Sequence, residues 1–206
     1  MKGLLLKDWY LITRYCRAFF LMDAVFIGVS LWAPESVIFL AYPCLFSAMI
    51  PVTLYSYDER EKWSAYSAAL PVSRAQYVST KYIIGLLAVA AIFLVNVLLR
   101  EAVAVFAPEL AADYLPVLIS ASALGLLLPV VSLPLMLRFG AEKGRIVYFV
   151  FIGVICAACF IVLDRDGAPS VIDAAPAAPV LLCVLALALY AASWLLSVRL
   201  YSRRDL

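Results

Sequence analysis

Long stretches of this chain carry no charge at all, and they decide what it can fold into. Residues 83–99 hold none, and neither do residues 180–196. At 1.5 Å per residue, about 20 helical residues cross the ~30 Å hydrocarbon core of a bilayer. Composition settles whether such runs are membrane spans or a buried core. The 206 residues are 67% hydrophobic and 15% charged, where a soluble domain is ~45–50% apolar and ~25% charged. A domain of this size buries only about 70% of the surface its chain exposes, so the surplus has nowhere to go in water. Disorder is excluded too, since it needs low hydrophobicity and high charge. In lipid every backbone N–H and C=O must be satisfied internally, which leaves helices or a closed barrel. Barrel strands alternate apolar and polar residues, and these runs do not. The chain therefore reads as a single all-α transmembrane domain over 1–206.

Six spans are predicted, at roughly 18–33, 37–57, 81–106, 114–137, 146–163 and 179–200. The first is short and contains Asp23. The run after residue 18 lacks a small-residue cleavage site and leads straight into another span, so it reads as a span rather than a signal peptide. Pro43 and Pro51 predict a kink in the second span, and Pro129 and Pro134 another in the fourth. The Pro- and Ala-rich segment 164–178 reads as a surface loop.

The basic residues set the orientation. Fourteen of the 16 Lys and Arg fall in four places: residues 2–17, 60–81, 138–145 and 199–204. With six spans these places share one side, while Glu35, Glu109, Asp113, Asp164, Asp166 and Asp173 lie on the other. The positive-inside rule puts both termini in the cytoplasm. An even number of spans requires that as well.

The sequence also narrows the chemistry. There is no His, which removes His-based triads and HExxH metal sites. No GxxxxGK[ST] occurs, so the chain has no P-loop of its own. Cys156 and Cys159 form a CxxC inside an apolar span, with no His or Asp nearby, and read as buried structural thiols. An enzyme is improbable on these grounds, and nothing suggests nucleic-acid binding.

Two segments outside the spans have structure of their own. Residues 1–17 carry Lys7, Arg14 and Arg17 on one helical face and Leu5, Trp9, Ile12, Cys16 and Phe19 on another. That pattern predicts an interfacial amphipathic helix that turns into the first span. It is either a plain anchor or an elbow bordering a partner subunit. The loop 58–80 is predicted to begin with Asp58 as N-cap and Glu61 three residues on. Trp63, Ser67 and Leu70 then share a face of a short helix, with Tyr66 beside it. Pro71 ends that helix. Ser73 and Gln76 form a capping box for the helix that runs through Lys81 into the third span. An exposed Trp among mixed charges suits docking onto another protein; the alternative is an interfacial loop resting on headgroups.

The opening MKGLLLKDWY, the stretch YDEREKW at 57–63 and ALPVSRAQYVSTKY at 69–82 resemble ABC-2 type transporter permeases. Within them they resemble the small six-span group that includes the permeases of the phenol-soluble modulin exporter. The resemblance implies an ABC-2 (type V) exporter-like fold in a bacterial cytoplasmic membrane. It implies two permease subunits, as a homo- or heterodimer, and two separate ATPase subunits that bind ATP and Mg. It also implies a coupling helix at about 59–70, followed by a turn at Leu70, Pro71, Ser73 and Arg74. Glu59, Arg60, Lys62, Trp63, Tyr66, Leu70 and Arg74 are then the docking residues for the ATPase. Many such permeases carry re-entrant helices before the last span, but loop 164–178 has too few apolar residues for that.

Four polar residues in or near spans complete the candidate set. Asp23 either pairs with a basic residue such as Arg17 or lines a pathway, and Asn96 is suited to bonding a neighbouring helix. Arg100 and Glu101 lie ~30 Å along the helix from Lys81 and mark the outer boundary or a gate. The near-absence of midplane charge argues against an ion-coupled carrier and suits a hydrophobic or amphipathic substrate, by resemblance a peptide. The competing reading is a non-transporting membrane anchor for a cytoplasmic partner.

Overall fold

A computed structural model describes residues 2–32, 39, 41–63, 66, 73–106, 114–144, 146, 149–150 and 178–202. Among them the regular structure is helical: α1 (Lys2–Tyr15), α2 (Arg17–Trp32), α3 (Ala41–Ala48), α4 (Ile50–Arg60), α5 (Arg74–Phe106), α6 (Tyr114–Phe139) and α7 (Ala178–Ser202). Three stretches are long and apolar enough to cross a membrane: Arg74–Leu99, Leu115–Phe139 and Pro179–Ser202. They match the expected third, fourth and sixth spans. Helix α2 falls on the expected first span, and α3 with α4 on the second. Most of the expected fifth span and of loop 164–178 lies outside the described residues.

Prolines shape two of these elements in different ways. Pro51 has no N–H for the carbonyl of Ser47, and the second span breaks at Met49, between α3 and α4. Pro43 sits in the first turn of α3, where the missing donor costs nothing. Pro129 and Pro134 both lie inside α6, which stays helical around them. Pro134 strips Val130 of its intrahelical partner, and the Ser193 hydroxyl on α7 donates to that carbonyl at 2.7 Å. A freed carbonyl in a membrane helix needs such a replacement.

Helix α6 lies along α7, and α5 packs on both. Their shared core includes Val78, Tyr82, Leu126, Leu133, Leu137, Ala186 and Tyr190. A line of hydroxyls threads this core. The Tyr82 hydroxyl lies 2.8 Å from Ser193 Oγ and 2.7 Å from Ser197 Oγ. Because Ser193 spends its proton on Val130, Tyr82 donates to Ser193 and accepts from Ser197. Tyr190 donates to the Tyr82 carbonyl at 2.7 Å, and the Trp194 indole N–H to Ser79 Oγ at 3.0 Å. On the other side, α3 approaches α6 at Gly125, where a Cβ would sit 2.7 Å from the Cys44 carbonyl oxygen.

Helix α1 forms where the amphipathic helix was expected, with a buried face that differs at one position. It packs on α4 and α5, and its buried stripe is Leu4, Asp8, Ile12 and Cys16, spaced by four. Ile12 and Cys16 pack with Ile50, Leu54 and Ile84. Trp9 and Tyr10, by contrast, are 62% and 66% exposed. Of the expected apolar face, Leu5, Ile12, Cys16 and Phe19 pack together, while Trp9 points out and Asp8 takes the inward place. Asp8 can turn inward because a lysine meets it there, and Trp9 suits an exposed interfacial position. Only Cys16 interrupts the helix between α1 and α2.

Candidate functional site

The described chain places its densest charge where α1, α4 and α5 meet, at the end of the bundle that holds the α4–α5 loop. Four side chains alternate in sign. The Lys81 ammonium donates to Asp8 Oδ1 and Oδ2 at 2.9 and 2.8 Å and lies 2.6 Å from Asp58 Oδ2. The Lys7 ammonium donates to Asp58 Oδ1 at 2.6 Å and lies 3.3 Å from Asp8 Oδ1. Each carboxylate therefore meets both lysines. The Tyr77 hydroxyl adds a bond to Asp58 Oδ2 at 3.0 Å. Lys81, Asp8 and Asp58 are buried, and the Lys7 side chain keeps 21% of its surface open. The charges sum to zero, which is what permits ions to sit where water does not.

Local sequence positions each member. Ser73 and Gln76 make the expected capping box: the Gln76 N–H donates to Ser73 Oγ at 3.2 Å, and the Ser73 N–H to Gln76 Oε1 at 3.3 Å. This starts α5 so that Tyr77 and Lys81, four apart, share one face. Asp58 is not the N-cap expected of it. It lies inside α4, which continues to Arg60 and ends at Glu61 and Lys62. The Glu61 and Lys62 N–H groups bond the carbonyls of Tyr57 and Glu59, and Lys62 takes a left-handed φ of 52°. A left-handed residue is a common way for a helix to stop. The stop lies between Asp58 and Trp63, so the loop begins about one turn past the charged ring.

The expected docking residues divide into several groups. Glu59 points back into the bundle, where its carboxylate accepts the Ala141 N–H at the start of the helical turn 141–144. Gly140, at φ +88°, makes that approach: a Cβ there would meet Glu59 Oε1 at 2.9 Å. Arg60 and Lys62 are exposed. Trp63 is half-buried against the core, and Tyr66 is exposed with its ring 5.1 Å from that of Trp63. Arg74 donates to the Ser202 carbonyl at the end of α7, 2.9 Å away, where a cation also suits the helix dipole. Leu70 lies outside the described residues. Between α4 and the segment after α6 runs a cleft of about 790 Å³, lined in part by Tyr57, Glu59, Arg60, Phe139 and Lys143.

The polar residues of the spans do not join this cluster. Asp23 is 2% exposed, and neither of its carboxylate oxygens has a hydrogen-bond partner among the described residues. The expected pairing with Arg17 is absent: Arg17 donates to the Thr13 carbonyl at 2.6 Å. Six residues along a helix put the two side chains about 120° apart, on different faces. Asn96 is fully buried and donates to Cys44 Sγ at 3.7 Å, linking α5 to α3. Glu101 is exposed, and Arg100 is described in its backbone only.

Residues 3–202 match the family model for the ABC-2 family transporter protein. The chain belongs to the ABC-2 transporter family. Membership implies the permease component of an ABC transporter, a membrane subunit that is not itself an enzyme and that associates with an ABC ATPase. No curated protein and no solved structure matches the chain. The narrower likeness to the phenol-soluble modulin exporter permeases rests on the motif residues alone. What sequence reasoning missed is the charged ring. Its signal was an acidic residue at the centre of the stripe Leu4, Asp8, Ile12, Cys16, and opposite charges at Asp58 and Lys81 on either side of the loop.

Proposed function

We propose that this ABC-2 permease is the membrane half of an exporter that moves a hydrophobic or amphipathic substrate, a peptide by resemblance, across a bacterial cytoplasmic membrane. A separate ATPase subunit binds ATP and Mg and docks on the loop that follows α4, around Arg60, Lys62, Trp63 and Tyr66. Two permease subunits form the pathway between them, with six spans each and both termini in the cytoplasm. The observation that carries the reading is a family match covering 3–202 on a chain that has no P-loop. The charged ring supports it. A loop that receives force is useful only if its roots are fixed, and Asp58 and Lys81 stand at the two roots. The scarcity of charge along the described spans suits an apolar cargo.

The test is co-expression with each ABC ATPase subunit of the source genome that lacks its own membrane domain, followed by purification and reconstitution. A stable complex is expected. Inside-out vesicles holding that complex are expected to take up a labelled amphipathic peptide only with ATP. A complex that forms and hydrolyses ATP but moves neither peptide nor lipid would favour the anchor reading. Failure to form a complex would reject the permease assignment.

A further inference from the structure

We propose that Lys7 is a positioning residue that ties the segment after α4 to α1, so that displacing Trp63 moves α1 together with α5. This rests on the permease reading above and adds a second receiving element to it. The Lys7 ammonium lies 4.1 Å from the centroid of the Trp63 ring. The same ammonium is 2.6 Å from Asp58 and 3.3 Å from Asp8. One cation thus touches α4, α1's own acidic residue and the start of the loop. Among the four ring members it has the open side chain, and Lys81 the closed one.

The chain geometry makes the contact mechanical rather than decorative. The helix break at Glu61 and Lys62 immediately precedes Trp63, so the indole sits on the far side of a hinge. The Tyr66 ring lies against it, tilted by 50° with centroids 5.1 Å apart. A cation attracted to the face of an indole is held by the ring quadrupole, and the attraction grows when water is excluded. Lys7 cannot follow the indole outward without leaving two carboxylates, and separating those charges in a dry site is costly. A shift of Trp63 too small to break this contact is therefore passed to α1 through Lys7. Asp8 extends the link, since it holds Lys81 on α5 by two bonds. A purely structural lysine would only neutralise Asp8 and Asp58, and its contact with the indole would be incidental.

The experiment uses the full chain in complex with its co-expressed ATPase in lipid nanodiscs. The five native cysteines are replaced by alanine, and a fluorophore is attached through Tyr10→Cys, an exposed site on α1. A non-hydrolysable ATP analogue is then added. The parent complex is expected to show a fluorescence change, and Lys7→Arg to keep it, because guanidinium also pairs with carboxylates and stacks on indole. Lys7→Met and Trp63→Leu are each expected to lose it, and the double variant to lose no more than either single. Should Lys7→Met fail to fold, Trp63→Leu against Trp63→Phe asks the same question from outside the ring, with Phe keeping part of the response. A full response in Lys7→Met or in Trp63→Leu would overturn the inference, as would its loss in Lys7→Arg with the complex intact. A parent complex whose α1 reporter stays silent on analogue binding overturns this inference alone. A parent that forms no complex overturns the permease reading, and this inference with it.

Discussion

The two polar assemblies of the molecule hold helices together by opposite means. At the loop end, four full charges bind α1 to α4 and α5. Inside the bundle, neutral hydroxyls bind α5 to α7 and α7 to α6. In the hydroxyl line each member loses one bond if a neighbour goes, and the remaining groups stay neutral. In the ring, removing one ion leaves a buried charge of the other sign with half its partners. Charge gives a joint that is either whole or badly broken; hydroxyls give one that weakens by degrees. The charged joint stands beside the helix break and Trp63, where a two-valued response is useful. The neutral one lies in the three longest of the described helices.

That contrast can be tested by breaking each assembly in turn. The largest effect is expected from Lys81→Met, which strands Asp8 and Asp58 with only Lys7 between them. Loss of one partner of a buried ion pair costs ~3–5 kcal/mol, so the purified variant is expected to unfold at a much lower temperature or fail to accumulate in the membrane. Ser193→Ala is expected to cost ~1–3 kcal/mol, the penalty for leaving the Val130 carbonyl unsatisfied. The same substitution on a Pro134→Ala background should cost less, because residue 134 then supplies the missing N–H; thermal unfolding of the four variants checks this. Tyr82→Phe should cost least, ~0.5–1.5 kcal/mol, since Ser193 keeps Val130 and only Ser197 loses its acceptor.

Sequence-local features were legible, and features that depend on distant partners were not. The Ser73–Gln76 box involves residues three apart and needs only helix geometry. The break near Pro51 follows from one missing N–H. Asp8 drew no notice in the sequence because its partner Lys81 is 73 residues away, and that pairing is what lets its carboxylate turn inward. Asp58 looked like a cap because acidic residues favour caps; its bonds to Lys7, Lys81 and Tyr77 override that preference and let α4 run past it. Pro134 announced a kink, yet its compensation by Ser193 depends on the register of α6 against α7, which no local pattern encodes. Among the expected docking residues, Glu59 turns toward Ala141 because Gly140 lets the chain come close, a contact 82 residues away in sequence.

Asp8 and Lys81 act as one energetic unit that holds α1 to α5. The measurement that tests it most directly is a double-mutant cycle: thermal unfolding of the wild type, Asp8→Asn, Lys81→Met and the double variant in the same nanodiscs. The double variant is expected to melt above the Lys81→Met single, because removing Asp8 with its partner leaves a balanced Lys7–Asp58 pair. Losses that simply add, with the double variant melting lowest, would contradict it.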